Sequence, residues 1–338
     1  MLALSAAMYY SEKGSAVQYR YLLCALLLVM FVSSCSGSKE SERSEELIVF
    51  HAGSLSVPMR ELAEAFEREH SNVDVMLEAA GSRACARKIA DLGRACDVMA
   101  SADYTVIDEL LIPEHASWNI KFAANEMAIV YHESSRMATE IGVDNWYEIL
   151  LHDDVAFGRS DPDSDPCGYR TVLTVELAET HYGVDGLAER LLAKDTEYIR
   201  PKETDLLALL ETHAIDYIFL YRSVAQQHGL EYLELPEEIN LEKPELADRY
   251  AAVSVEVSGR EPGTHITKRG APMVYGVTIP SNAPNRELAL RFVAFLLDES
   301  KGLEIMERNG QPALVPSPTD TYDELPRELE RFALPPGK

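Results

Sequence analysis

The stretch Ser160-Asp161-Pro162-Asp163-Ser164-Asp165-Pro166-Cys167-Gly168-Tyr169-Arg170 gathers three carboxylates, two prolines and a glycine in one place. It follows a short apolar run, Val155-Ala156-Phe157, and opens onto a helix-like segment over residues 169–182. Prolines stiffen the backbone and Gly168 permits close approach. A linker has no need of so rigid a cluster of acceptors at the mouth of a helix, so the stretch reads as half of a ligand site. The Asp161-x-Asp163-x-Asp165 spacing matches the opening of a calcium loop but not its remainder. Pro166 stands where a glycine makes the turn, and Val172 where a bidentate glutamate belongs. Asp165 can equally be a plain cap of the following helix. The second carboxylate of interest is Glu203, in Arg200-Pro201-Lys202-Glu203-Thr204-Asp205-Leu206-Leu207. It opens an amphipathic helix over 203–211, where an acid also favours the dipole.

Such acids act together only if other elements bring them to one point. Residues 47–50 form a strand candidate, followed by His51-Ala52-Gly53-Ser54-Leu55-Ser56 and a helix over 57–70. A strand over 73–77 leads to Ala79-Ala80-Gly81-Ser82 and a helix over 83–92. A third strand, 97–100, leads to Ser101-Ala102-Asp103-Tyr104 and a helix from Thr105. Repeated βα units of this kind imply a parallel sheet with ligands beyond the carboxyl ends of its strands. Ser54, Ser82 and Ser101 each fit an N-cap. Together they would also make an anion pocket from helix starts and hydroxyls, without any Lys or Arg.

Two apolar runs, 122–131 and 272–280, read as strands crossing between two α/β lobes. Between them come the Asp-rich loop, the helix over 203–211, a strand over 215–221, a short helix from Ser223 and a strand over 230–235. A strong amphipathic helix over 286–297 should pack back on the first lobe, followed by a helix over 301–309 stopped at Gly310. His265-Ile266-Thr267-Lys268-Arg269 reads as a solvated turn, and Trp118 and Trp146 as packing residues.

The 338 residues are enough for two domains, and the formal net charge of −25 argues against a nucleic-acid partner and against electrostatic docking onto anionic lipid. An anionic ligand would be opposed by the field of the whole molecule, so local dipoles must capture it. At the amino terminus, an apolar core over 21–32 ends in Val32-Ser33-Ser34-Cys35. This resembles a lipoprotein signal: 1–34 is removed, Cys35 is lipidated and 35–45 is a polar tether. Cys85, Cys96 and Cys167 remain in the mature chain. A Cys85–Cys96 disulfide is possible there, with buried free thiols the favoured state.

Several motifs recur in this order in one family: Phe50-His51-Ala52-Gly53-Ser54-Leu55, Ala79-Ala80-Gly81-Ser82, Ala100-Ser101-Ala102-Asp103-Tyr104, Asp165-Pro166-Cys167-Gly168-Tyr169-Arg170, Pro201-Lys202-Glu203-Thr204-Asp205, and Asp216-Tyr217-Ile218-Phe219-Leu220-Tyr221-Arg222. Over nearly all of 46–315 the chain resembles the tungstate/molybdate-binding proteins of tungstate-type ABC importers, in their archaeal-like branch. It departs from them before Pro201, where relatives carry about two dozen more residues.

The resemblance implies an α/β fold of two lobes, the periplasmic-binding-protein fold of type II. Lobe 1 would be 46–125 plus 273–338 and lobe 2 would be 126–272, with the two crossing strands as hinge and the ligand in the cleft. It implies that carboxylates matching Asp165 and Glu203 approach the metal of the oxyanion itself. Donors to the oxyanion oxygens are implied at Ser54, Ser82, Ser101, Ala102, Asp103, Cys167, Gly168 and Tyr221. A monomer is expected, with no cofactor and no catalysis, tied to the membrane by its lipid anchor and delivering tungstate or molybdate to an ABC permease with its ATPase. A binder of another tetrahedral oxyanion such as sulfate is the alternative. A secreted hydrolase using the Asp cluster with a metal or His51 is more remote, since no nucleophile elbow or His-Glu-x-x-His is present.

Overall fold

The computed structural model describes residues 44–337. The expected signal segment, Cys35 and almost all of the expected tether lie outside them. In chain order the first part runs β1 (Glu45–Ala52), α1 (Ser56–Glu69), β2 (Val73–Ala80), α2 (Ser82–Ala90), β3 (Val98–Ser101), α3 (Tyr104–Leu110) and β4 (Ile120–Ala124). The second runs β5 (Met127–Tyr131), α4 (Trp146–Leu150), β6 (Phe157–Ser160), α5 (Pro166–Tyr182), α6 (Leu187–Ala193), β7 (Ile199–Arg200), α7 (Asp205–Glu211), β8 (Tyr217–Tyr221), α8 (Arg222–His228) and β9 (Glu231–Glu234). The last includes α9 (Ala247–Tyr250), β10 (Ser254–Ser258), β11 (His265–Arg269), β12 (Val274–Thr278), α10 (Arg286–Leu296) and α11 (Gly302–Arg308).

Two five-stranded sheets result, ordered β2-β1-β3-β12-β4 and β7-β6-β8-β5-β9. In the first, β1 and β3 are parallel, with Val49 opposite Val98, and β12 runs antiparallel between β3 and β4. In the second, β6 is parallel to β7 and β8, and β5 is antiparallel to β8 and β9. Each sheet therefore has the same plan: parallel strands with helical crossovers and one inserted antiparallel strand. The architecture is a two-sheet α/β fold of the type II periplasmic-binding-protein kind.

The apolar run 122–131, read as one strand, is two. Its break at Asn125-Glu126 has a polar cause: both side chains are buried and bonded outside the ladders. Asn125 Oδ1 accepts the Glu126 N–H at 3.0 Å, while the Glu126 carboxylate pairs with Arg222 and accepts from Asn240 Nδ2 at 2.9 Å. The chain thus leaves the first sheet after β4 and enters the second at β5, returning through Met273 into β12.

Segment 265–269 is not a solvated turn. It is β11, paired with β10 in a hairpin with Val255 opposite Lys268. The Lys268 side chain is only 6% exposed and lies 2.7 Å from Glu109 of α3. Ile266 is the single apolar residue of β11, too little alternation for a pattern reading to reveal its pairing with the Val255 and Val257 face of β10.

The helices follow their capping chemistry. Asp165 caps α5, Pro166 occupies its first turn, and Gly183 ends it in the left-handed region at φ 66°. Helix α10 packs on α1, with Phe66 at 5.2 Å from Phe292 and 5.5 Å from Phe295 between ring centroids. Trp118 and Trp146 are fully buried.

Candidate ligand site

The two acids singled out from the sequence meet. Asp165 Oδ1 accepts the Cys167 N–H at 3.2 Å, and Oδ2 accepts the Glu203 N–H at 2.9 Å. Helix α7 starts at Asp205, two residues later than its pattern suggested, so Glu203 lies in the preceding turn rather than in the helix. Its carboxylate is fully buried and no N–H or hydroxyl of the described residues donates to it; its polar neighbour is the Asp165 carboxyl, within hydrogen-bond reach. Leaving a charge in that position is costly. Burial raises both carboxyls above their ordinary range. Glu203 is pushed well up, with the neighbouring Asp165 adding to burial, whereas Asp165 is partly held down by its hydrogen bonds, backbone donors among them.

Glycines from the other sheet close over these acids. A Cβ added at Gly53 would lie 2.8 Å from Glu203 Oε2, and one at Gly81 would lie 2.3 Å from Ser164 O and 3.0 Å from Asp165 Cβ. Gly81 has φ −58°, which any residue adopts, so contact rather than conformation demands glycine there. The Ala84 N–H also donates to Ser164 O at 3.2 Å.

Three hydroxyls around the acids are fixed by donors. Ser54 Oγ accepts from Tyr275 Oη at 3.0 Å, Ser82 Oγ from the Ala102 N–H at 2.9 Å, and Tyr221 Oη from Arg170 Nη1 at 3.0 Å. Ser101 is used differently. It donates to Asp103 O at 2.5 Å and accepts the Asp103 N–H at 3.2 Å, closing its own turn. The Asp103 carboxylate caps α3 through Thr105 N–H at 3.0 Å and accepts from Tyr169 Oη at 2.5 Å. Burial raises its pKa, but Lys268 at 3.8 Å and Arg170 at 4.0 Å outweigh that and bring it down to about 2. The Cys167 and Gly168 N–H groups donate to Asp165, at Oδ1 and, at 3.0 Å, at its carbonyl.

The expectation of a pocket without Lys or Arg needs correcting. Arg170 is buried beside it, donating to Ala102 O at 2.8 Å as well as to Tyr221, and Lys268 stands behind Asp103. These cations neutralise Asp103, which net charge alone could not foretell. A cleft of about 240 Å³ lies on this side, lined by Asp103, Tyr169, Arg170 and Lys268 among others.

The three aspartates of the loop do not converge on a cation. Asp161 accepts from the Asp163 N–H at 3.0 Å and from Ser164 Oγ at 3.1 Å, Asp163 accepts the Ser258 N–H at 2.6 Å, and Asp165 is held as above. His51 is buried, with Nδ1 donating to Ala52 O at 2.8 Å. Burial, opposed by that bond and aided by Lys202 and Arg60, lowers its pKa to about 4. Cys85, Cys96 and Cys167 are buried free thiols.

Sequence reasoning missed Arg170 as a buried cation, and Asn125, Tyr275 and Gln311 altogether. Asn125 Nδ2 donates to Tyr275 Oη at 2.8 Å, and Gln311 Nε2 donates to Ser54 O at 3.0 Å. The one available signal was Asn125-Glu126 interrupting an apolar run.

Residues 47–311 match the bacterial extracellular solute-binding protein family. A solute-binding protein of Petrotoga mobilis is 53% identical over 288 residues, which cover 85% of this chain and 89% of that one. The molybdate/tungstate-binding protein WtpA of Pyrococcus abyssi is 41% identical over 338 residues, covering 91% and 96%. Among solved structures, the periplasmic molybdate-binding protein of Azotobacter vinelandii superposes with a TM-score of 0.55 at 17% identity, covering 80% of this chain and 99% of that one. The sulfate-binding protein SubI of Mycobacterium tuberculosis gives 0.58 at 12% identity, covering 86% and 92%. At such identities the two structures speak for the fold alone. With the match spanning most of its length, the chain belongs to the bacterial extracellular solute-binding protein family.

Proposed function

We propose that this protein captures tungstate or molybdate between its two halves and hands it to an ABC permease. The observation that carries this reading is the Glu203 carboxylate, buried next to Asp165 with no N–H or hydroxyl of the described residues donating to it. Beside a sulfate or phosphate such a group would only repel. Beside Mo(VI) or W(VI) its oxygen can enter the coordination shell, because these centres expand from four oxygens towards six. The same repulsion then works against the commoner oxyanions. Ser54, Ser82 and Tyr221 serve as donors to the oxyanion oxygens. Ser101, Ala102 and Asp103 act by shaping the turn. The N–H groups of Cys167 and Gly168 hold Asp165 in place. The WtpA name of relatives at about two-fifths identity supports the same ligand.

The test is calorimetric titration of the purified protein with tungstate, molybdate and sulfate in turn. One-to-one binding of the first two and none of sulfate is expected. Sulfate binding of equal strength would remove the carboxylate mechanism, and silence with all three would remove the ligand. Closure over the anion would present the surface that docks to the permease. The protein acts as a monomer held outside the cytoplasm by lipid on Cys35. Cys35→Ala should release it from membranes without changing tungstate affinity.

A further inference from the structure

Ser54, Ser82 and Tyr221 share one property. Each hydroxyl accepts from a donor, and among the described residues none donates to a protein acceptor. Each proton is left for a ligand. For Ser82 the donor is a backbone N–H and for Tyr221 a guanidinium, and neither can reverse. Ser54 differs, because its donor is another hydroxyl, Tyr275, which on its own could face either way.

What fixes Tyr275 lies one step further back. Asn125 Nδ2 donates to Tyr275 Oη at 2.8 Å and to Ser223 Oγ at 2.6 Å. That amide cannot turn round, since its Oδ1 accepts the N–H groups of Glu126 at 3.0 Å and Ser223 at 3.5 Å. Gln311 Nε2 adds a longer contact to Tyr275 Oη at 3.5 Å. With amide hydrogens on its lone pairs, Tyr275 must donate to Ser54, and Ser54 must aim its own proton elsewhere. Ser54, Asn125, Ser223 and Tyr275 are all buried, so bulk water cannot take over a missing link.

The chain of donors also joins both crossings. Asn125 and Glu126 link β4 to β5, and Tyr275 lies in β12. We infer that Asn125 and Tyr275 are positioning residues: they hold Ser54 as an obligate donor to the anion, and they do so only while the two crossings keep this placement. The inference rests on the reading of Ser54 as a ligand donor.

The test is a double-mutant cycle read by tungstate titration on wild type, Tyr275→Phe, Ser54→Ala and the double variant, with Asn125→Ala as an independent break of the same chain. Tyr275→Phe and Asn125→Ala should each weaken tungstate on the order of tenfold, the worth of one charge-assisted hydrogen bond. In the Ser54→Ala background each should change affinity by less than about twofold, because the group through which they act is gone. Equal losses in both backgrounds would mean a packing role and overturn the inference, as would no loss at all. Should Tyr275→Phe not fold, Asn125→Ala decides alone. Wild-type protein that binds no tungstate would overturn the functional reading itself.

Discussion

Asp165 Oδ2 accepts the backbone N–H of Glu203 at 2.9 Å, so the acid that caps α5 also fixes the backbone of the second acid. Asp165→Ala removes the cap and this link together. It should cost about 2 kcal/mol of stability, measured by denaturant unfolding, and abolish tungstate binding. Glu203→Gln should separate the two effects. It removes a buried acid that no N–H or hydroxyl of the described residues supports, so the ligand-free protein should melt no lower than wild type and by a few degrees higher above neutral pH. Tungstate should no longer raise its melting temperature.

Two sets of titrating groups should bend the stability of the ligand-free protein in opposite directions. Asp165 and Glu203 have raised values in the fold, so their contribution is complete below the ordinary values of 3.8 and 4.5 and is lost as pH rises through the raised ones. His51 is lowered from 6.5 to about 4, so its contribution is complete above 6.5 and is lost as pH falls to about 4. The His51 limb amounts to about 3 kcal/mol. Melting temperature measured against pH should lose its acid limb in His51→Asn and its alkaline limb in Glu203→Gln.

Gly53 and Gly81 touch the acids across the two halves, and neither sits at positive φ. Alanine at either position fits its own loop but not the opposing one. Tungstate affinity should fall at least tenfold for Gly81→Ala, while ligand-free stability changes by less than about 1 kcal/mol. Titration beside thermal unfolding checks both halves of this statement. A parallel loss of stability would mean that the loop itself needs glycine.

The β10–β11 hairpin braces the first sheet's helices. Arg83 donates to Ser258 O, Arg87 Nη2 donates to Gly259 O at 2.7 Å, and Lys268 Nζ donates to Thr105 Oγ1 at 2.5 Å beside Glu109 and Asp103. Lys268→Met keeps the stem but takes the nearest cation from Glu109 and one of the two cations from Asp103. It should cost about 2 kcal/mol and weaken tungstate. Small-angle scattering should show a wider ligand-free particle, and an unchanged profile with full stability would refute the brace.

The βα units, their hydroxyl loops and the acid-rich helix mouth were legible because each carries local chemistry: periodic apolar residues, a cap, a proline, a glycine. The pairing of Asp165 with Glu203 came from the family resemblance, since 38 positions separate them and no local pattern links them. Lys268 was misread because a polar strand in a two-stranded hairpin looks like a loop until its partner is known. Asn125 and Tyr275 lie 150 positions apart, and hydrogen-bond direction leaves no mark on composition.

The order of strands also has a consequence for the growing chain. The second sheet uses β5 to β9, one continuous piece of sequence that can close as soon as it is made. The first sheet cannot, because β4 joins it only through β12, whose residues Val274–Thr278 are synthesised about 150 positions later. In a chain that folds from its amino end, then, the part made second can be completed first, and β4 keeps an open edge until the return crossing arrives.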